Sequence, residues 1–107
     1  MPKTIIGTGD ANGEFRANSD NDVFFSAMFI DANGDSEHYG HEEVVNGVEF
    51  SVEEGKAYSV IVFAVFAEDG EAVIECTVGE KVKTTHLSGD VEPPGQDFEQ
   101  AQFDIYA

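Results

Sequence analysis

Residues 58–67 set the strongest limit on what this chain can become. They alternate with period two, yet both sets are apolar. Tyr58, Val60, Val62 and Phe66 line one side, and Ile61, Phe63 and Val65 line the other. Successive side chains of a strand point to opposite faces, so such a strand presents an apolar surface twice. Residues 22–30 repeat the pattern, with Val23, Phe25 and Phe29 set against Phe24, Met28 and Ile30. A two-layer sandwich with water outside needs only one apolar face per strand. The second face therefore calls for a bulge that shifts the phase, a covering loop or barrel wall, or another subunit. Residues 71–78 differ: Ala72, Ile74, Cys76 and Val78 point one way, Glu71, Glu75 and Thr77 the other. That is a half-buried strand with one wet face.

Between these stretches the chain is punctuated by turn signals and shows no segment of helical period. Further strands are expected at residues 3–8, 14–17 and 98–106. Asn46-Gly47 sits between Val44-Val45 and residues 48–52, the signature of a two-residue hairpin. Asn12-Gly13 and Asn33-Gly34 offer the same positive-φ chemistry. Glu68-Asp69-Gly70 reads as the turn of a hairpin joining residues 58–67 to 71–78. Ser51-Val52-Glu53-Glu54 has the form of a helix capping box, but Gly55 follows and no apolar helical face continues. The expected fold is all-β, a single β domain over residues 1–107: an antiparallel β-sandwich or jelly-roll-like barrel of about seven strands.

Charge narrows the partners. Twenty-two Asp and Glu against five Lys and Arg give a formal net charge of −17. Such a surface repels phosphate backbones and anionic lipid, so neither nucleic acid nor a membrane is an expected ligand. Metal cations and basic proteins remain compatible with it, as does a solubility or halophilic adaptation. Nine Phe and three Tyr supply a real core despite the charge, unlike disordered chains. One cysteine, Cys76, excludes an internal disulfide. The first residues do not read as a signal peptide, and the longest apolar run falls far short of the roughly 20 residues a bilayer requires. These features fit a cytoplasmic or virion location best, although a mature secreted domain without its signal would look the same.

Two constellations carry candidate chemistry. Asp31, Asn33, Asp35 and Glu37 alternate, with Glu42 at the twelfth position, matching the oxygen-ligand spacing of a calcium loop. Ser36 stands where the helix-loop-helix version needs glycine. His38 and His41, flanked by Glu37, Glu42 and Glu43, form a weaker transition-metal candidate. Residues 38–47 followed by 48–52 resemble the first metal motif of the cupins, small jelly-roll barrels that hold a metal with histidines and a glutamate. That resemblance implies convergence of His38, His41, a Glu and His86 in a barrel mouth. The histidine spacing is two intervening residues where cupins have one, and no histidine follows Pro93-Pro94-Gly95. Cys76 and His86 are a formal nucleophile–base pair, but Cys76 lies in phase with core residues. No nucleophile elbow or phosphate-cradling glycine loop is present. The expectation is a non-enzymatic binding or assembly module with a protein partner or self-association. A DNA-mimic-type inhibitor of a basic protein and a degenerate cupin-like metal-binding protein are the alternatives.

Overall fold

A computed structural model describes residues 2–92 and 94–107; Pro93, part of the expected Pro-Pro-Gly break, lies outside the described residues. The chain folds as two packed sheets, a β-sandwich. In order the elements are β1 (Lys3–Ile6), β2 (Ala11–Asn18), β3 (Val23–Ile30), β4 (Ser36–Tyr39), α1 (His41–Asn46), β5 (Val48–Val52), β6 (Ala57–Phe66), β7 (Gly70–Val78), β8 (Lys81–Gly89) and β9 (Asp97–Tyr106). One sheet has strand order β1-β9-β6-β3-β4, the other β5-β2-β7-β8. All pairings are antiparallel except β1 with β9, where the first and last strands run parallel from Lys3 opposite Phe103 to Ile6 opposite Tyr106.

The period-two pattern decides which side chains meet between the sheets. Phe25, Val60, Val62, Phe66, Phe103 and Ile105 come from the five-stranded sheet, and Phe15, Ile74, Cys76 and Val78 from the four-stranded one; all are essentially inaccessible. Among the described residues no polar or charged side chain is buried. Every carboxylate is thereby left in water, which avoids the desolvation cost of a buried charge.

Three local expectations are corrected. Residues 58–67 and 71–78 do not form a hairpin, because β6 and β7 belong to different sheets. The connection carries its own backbone partners: Glu68 Oε1 accepts from the Asp22 N–H at 3.2 Å, and Asp69 Oδ1 from the Val91 N–H at 2.6 Å. Val44 and Val45 are helical, and Asn46-Gly47 stops α1 instead of turning a hairpin. Gly47 has φ +100° and donates to the Glu43 carbonyl at 3.0 Å. At the other end the Gly40 N–H is held by Glu43 Oε1 at 3.2 Å, and Glu42 and Glu43 complement the helix dipole. Asn12-Gly13 lies inside β2, where Gly13 makes room for a ring: an added Cβ would stand 2.4 Å from Phe50 Cζ. The expected sandwich of about seven strands stands, with β4 and β8 bringing the number to nine among the described residues.

Gly89 plays a similar part at the end of β8. A Cβ there would lie 2.2 Å from Cγ of Phe66, whose ring is fully buried and has nowhere to move. Gly89→Ala should lower stability by about 1–3 kcal/mol, the usual cost of overpacking a core. Denaturant melts of the two proteins check this; an unchanged midpoint would contradict the packing described.

Candidate docking face

β3, β6 and β9 place their second set of side chains on the outer surface of the five-stranded sheet. Register sets them in four ranks: Phe24, Val65 and Phe98; Ser26, Phe63 and Gln100; Met28, Ile61 and Gln102; Ile30, Ser59 and Asp104. Within these ranks Asp104 is the only ionisable side chain, and its Oδ1 is tied down by Ser59 Oγ at 3.0 Å and Gln102 Nε2 at 2.9 Å. Phe24 is 59% and Phe98 69% exposed, while Phe63, Ile61, Val65 and Met28 are half-buried by their neighbours on the sheet. The face is thus apolar and uncharged in the centre. Past its Phe24 end stand Asp22 and Glu68; past its Ile30 end is the turn bearing Asp31 and Asp35. Among the described residues no element of the chain covers it, and no bulge interrupts the register.

His41 finishes one border of this face. β4 pairs with β3 only from Ala27 to Ile30, leaving the Phe25 N–H beyond its reach. The Nδ1 atom of His41 accepts that N–H at 3.0 Å. The imidazole stacks on Phe24 at 5.2 Å and on Phe25 at 5.7 Å between centroids. His41 is therefore occupied as a sheet-edge cap. His38 lies on β4 beside Met28, and His86 lies on β8 of the other sheet, opposite Val73. The convergence that the cupin resemblance implies is not formed.

The calcium-loop residues are also spread out. Asp31 Oδ1 accepts from the N–H groups of Asn33 at 2.9 Å and Asp35 at 3.0 Å, closing the β3–β4 turn as an Asx-turn. Gly34 there has φ +85°. Glu37 is on β4 and accepts from the Tyr39 hydroxyl at 2.6 Å; burial, helped by this bond and the charge of Glu37, pushes the Tyr39 phenol up to about 12. Glu42 is in the first turn of α1, and the intervening strand holds it about 13 Å of extended chain away from the turn. Among the described residues no group of three or more His, Cys, Asp or Glu is arranged to hold a metal ion.

A cleft of about 420 Å³ lies over β2 and β5 and is lined by Asn12, Gly13, Glu14, Glu49, Phe50, Ser51 and Thr77. Ser51 Oγ donates to Asn12 Oδ1 at 3.0 Å, and no histidine or lysine among the lining residues is placed to activate it. Cys76 is buried as its phase implied, and desolvation pushes its thiol up to about 12. Nothing in either place assembles a nucleophile with a base. Compared with known proteins, the chain matches no family model, no curated protein and no solved structure.

Two predictions follow from this geometry. Cys76 should resist thiol reagents in the folded protein and react fully once unfolded. Its thiol ionises at 9.0 when exposed and near 12 when folded, so unfolding releases a proton between those values. The stability this residue contributes is complete below pH 9.0 and is lost as pH rises toward 12. The deficit of Cys76→Ala relative to the parent, measured by denaturant melts, should shrink across that window. For the β3–β4 turn, calcium and magnesium at equal ionic strength should raise the melting temperature equally, by screening alone. A dedicated calcium site would instead add about 2.7 kcal/mol at roughly a hundredfold excess over its dissociation constant. Thermal melts with each cation distinguish the two.

Proposed function

We propose that this chain is a non-enzymatic binding or assembly module that docks a protein partner through the outer face of β3, β6 and β9. One observation carries the reading: a chain with 22 acidic residues keeps the centre of this one surface apolar and free of charge. Soluble proteins do not commonly leave a large contiguous apolar patch exposed, and a patch with a polar rim marks an interaction site. The opposite sheet supplies the contrast. Its outer surface carries Glu14, Glu49, Glu71 and Glu75 among its residues, beside the exposed Val73 and Val82.

A docking face and a fold-supporting face respond differently to substitution. Phe24→Thr with Phe98→Thr keeps strand propensity while removing the two most exposed rings of the patch. The pair should cost no more than about 1 kcal/mol, the scale of lost cross-strand contacts, and should abolish binding of the neutral dye Nile red. A loss of several kcal/mol in denaturant melts would assign these rings to folding and refute the proposal. So would dye fluorescence unchanged by the substitutions.

A further inference from the structure

Three asparagines in this chain are followed by glycine: Asn12, Asn33 and Asn46. In such a pair the glycine nitrogen is able to attack the asparagine side chain, because no Cβ shields that nitrogen or restricts its backbone. The fold treats the three pairs differently. Asn12 and Gly13 lie inside β2, with β5 paired on one side and β7 on the other. Asn12 Oδ1 accepts from Ser51 Oγ at 3.0 Å, its carbonyl accepts from the Gly79 N–H at 2.9 Å, and Gly13 is buried against the Phe50 ring. At the end of α1, the Asn46 carbonyl accepts from Arg16 Nη2 at 3.2 Å, and the Gly47 N–H is held by the Glu43 carbonyl at 3.0 Å. Either pair reacts only after a packed strand or a helix end has opened.

Asn33 and Gly34 are held by their own turn alone. Both are exposed, and nothing stands within 4 Å of where a Gly34 Cβ would be. The Gly34 N–H donates to the Asp31 carbonyl at 3.0 Å, and the other bonds of the turn also stay within residues 31–35. Opening this turn is a local event, and local openings cost far less than opening a packed strand. We propose that Asn33 is a self-modification site, at which the folded protein converts a side-chain amide to a carboxylate with water as the only co-reactant. The Gly34 nitrogen bonds to Cγ of Asn33. The Cγ–Nδ2 bond breaks, and ammonia leaves with the proton that the Gly34 nitrogen releases. Water then opens the cyclic imide. Attack at Cγ leaves an aspartate; attack at the main-chain carbonyl carbon leaves an isoaspartate, whose chain runs on through Cβ and Cγ. Either product adds a negative charge beside Asp31 and Asp35. The isoaspartate also puts one more atom into the chain between the N–H groups of Asn33 and Asp35, both of which Asp31 Oδ1 holds. β4 depends on that turn, being a short edge strand paired with β3. The reaction therefore loosens β4 and leaves the core between the sheets intact. It is independent of the docking-face reading.

Ageing the folded protein at mildly alkaline pH, in water enriched in the heavy oxygen isotope, tests the site. Each imide that opens takes one oxygen from solvent, so peptide mass spectrometry locates the reaction. The expected result is label at Asn33, with Asn12 and Asn46 labelled more than about tenfold more slowly because their openings are costlier. In denaturant, where no structure discriminates, all three should be labelled at similar rates. Asn33→Gln should remove the label from that peptide and keep the parent's circular dichroism. Hydrogen exchange of the aged protein should quicken in residues 36–39 and keep the parent's rate in β6 and β9; unchanged exchange in residues 36–39 of the isoaspartate form would overturn the loosening of β4. Label appearing at Asn12 or Asn46 as fast as at Asn33 in the folded protein would overturn the proposal. So would a folded protein whose Asn33 stays unlabelled while the denatured chain reacts.

Discussion

Phe15, Phe25, Phe66 and Phe103 meet between the two sheets with almost no exposure, and the remaining elements are arranged around that contact. Burying apolar area is the main stabilising contribution available to this chain. Its ion pairs are exposed, and such pairs contribute about 1 kcal/mol or less. Carboxylates crowding the exterior also repel one another. The aromatic layer must outweigh that repulsion together with the entropy of ordering the chain. The exclusion of charge from the interior, and the glycines at positions 13 and 89 that let rings close over the backbone, follow from the same requirement.

Much of this architecture was legible because burial writes itself into alternation. The inward residues of β7 could be named in advance, Cys76 among them, and the doubled apolar pattern of β3 and β6 already implied an outer face unlike an ordinary wet one, though not which of the two sets faced inward. Elements that bury little were not legible. β4 is exposed along most of its length and is held by pairing with β3 and by the Asp31 turn. β8 runs past the core, with only Leu87 and Gly89 buried, so its apolar pattern is almost empty. Its Gly79-Glu80 turn and threonines were the available signal. α1 buries only Val44 and is specified by Glu43 and Gly47 at its ends. Asn-Gly misled at that point because positive φ serves a helix stop as well as a hairpin.

The candidate site divides along the same line. Spacing along the chain suggested metal ligands, but ligands must converge in space, and the extended β4 separates residues that a compact loop would have gathered. His41 illustrates the difficulty: a side chain with metal-binding chemistry is used here to satisfy a backbone N–H that the short β4 cannot reach. The docking face arises from three strands, and the contribution of β9 (Phe98, Gln100 and Gln102) depends on a pairing with β6 made across more than thirty residues of chain. Lys81 likewise reaches the Ile6 carbonyl across 75 positions of chain, which no local reading of sequence brings together.

The position of β9 has a consequence for how the molecule comes into being. The last strand is not added at the margin of its sheet; it is inserted between β1 and β6. While the chain is being synthesised, β1 therefore has no partner in its sheet, and β6 shows an open edge bearing apolar side chains on both sides. Pairings of such long sequence separation form slowly, and unpaired strand edges are where nascent chains find wrong partners. The same carboxylates that oppose compaction in the finished protein keep incomplete chains apart during that interval.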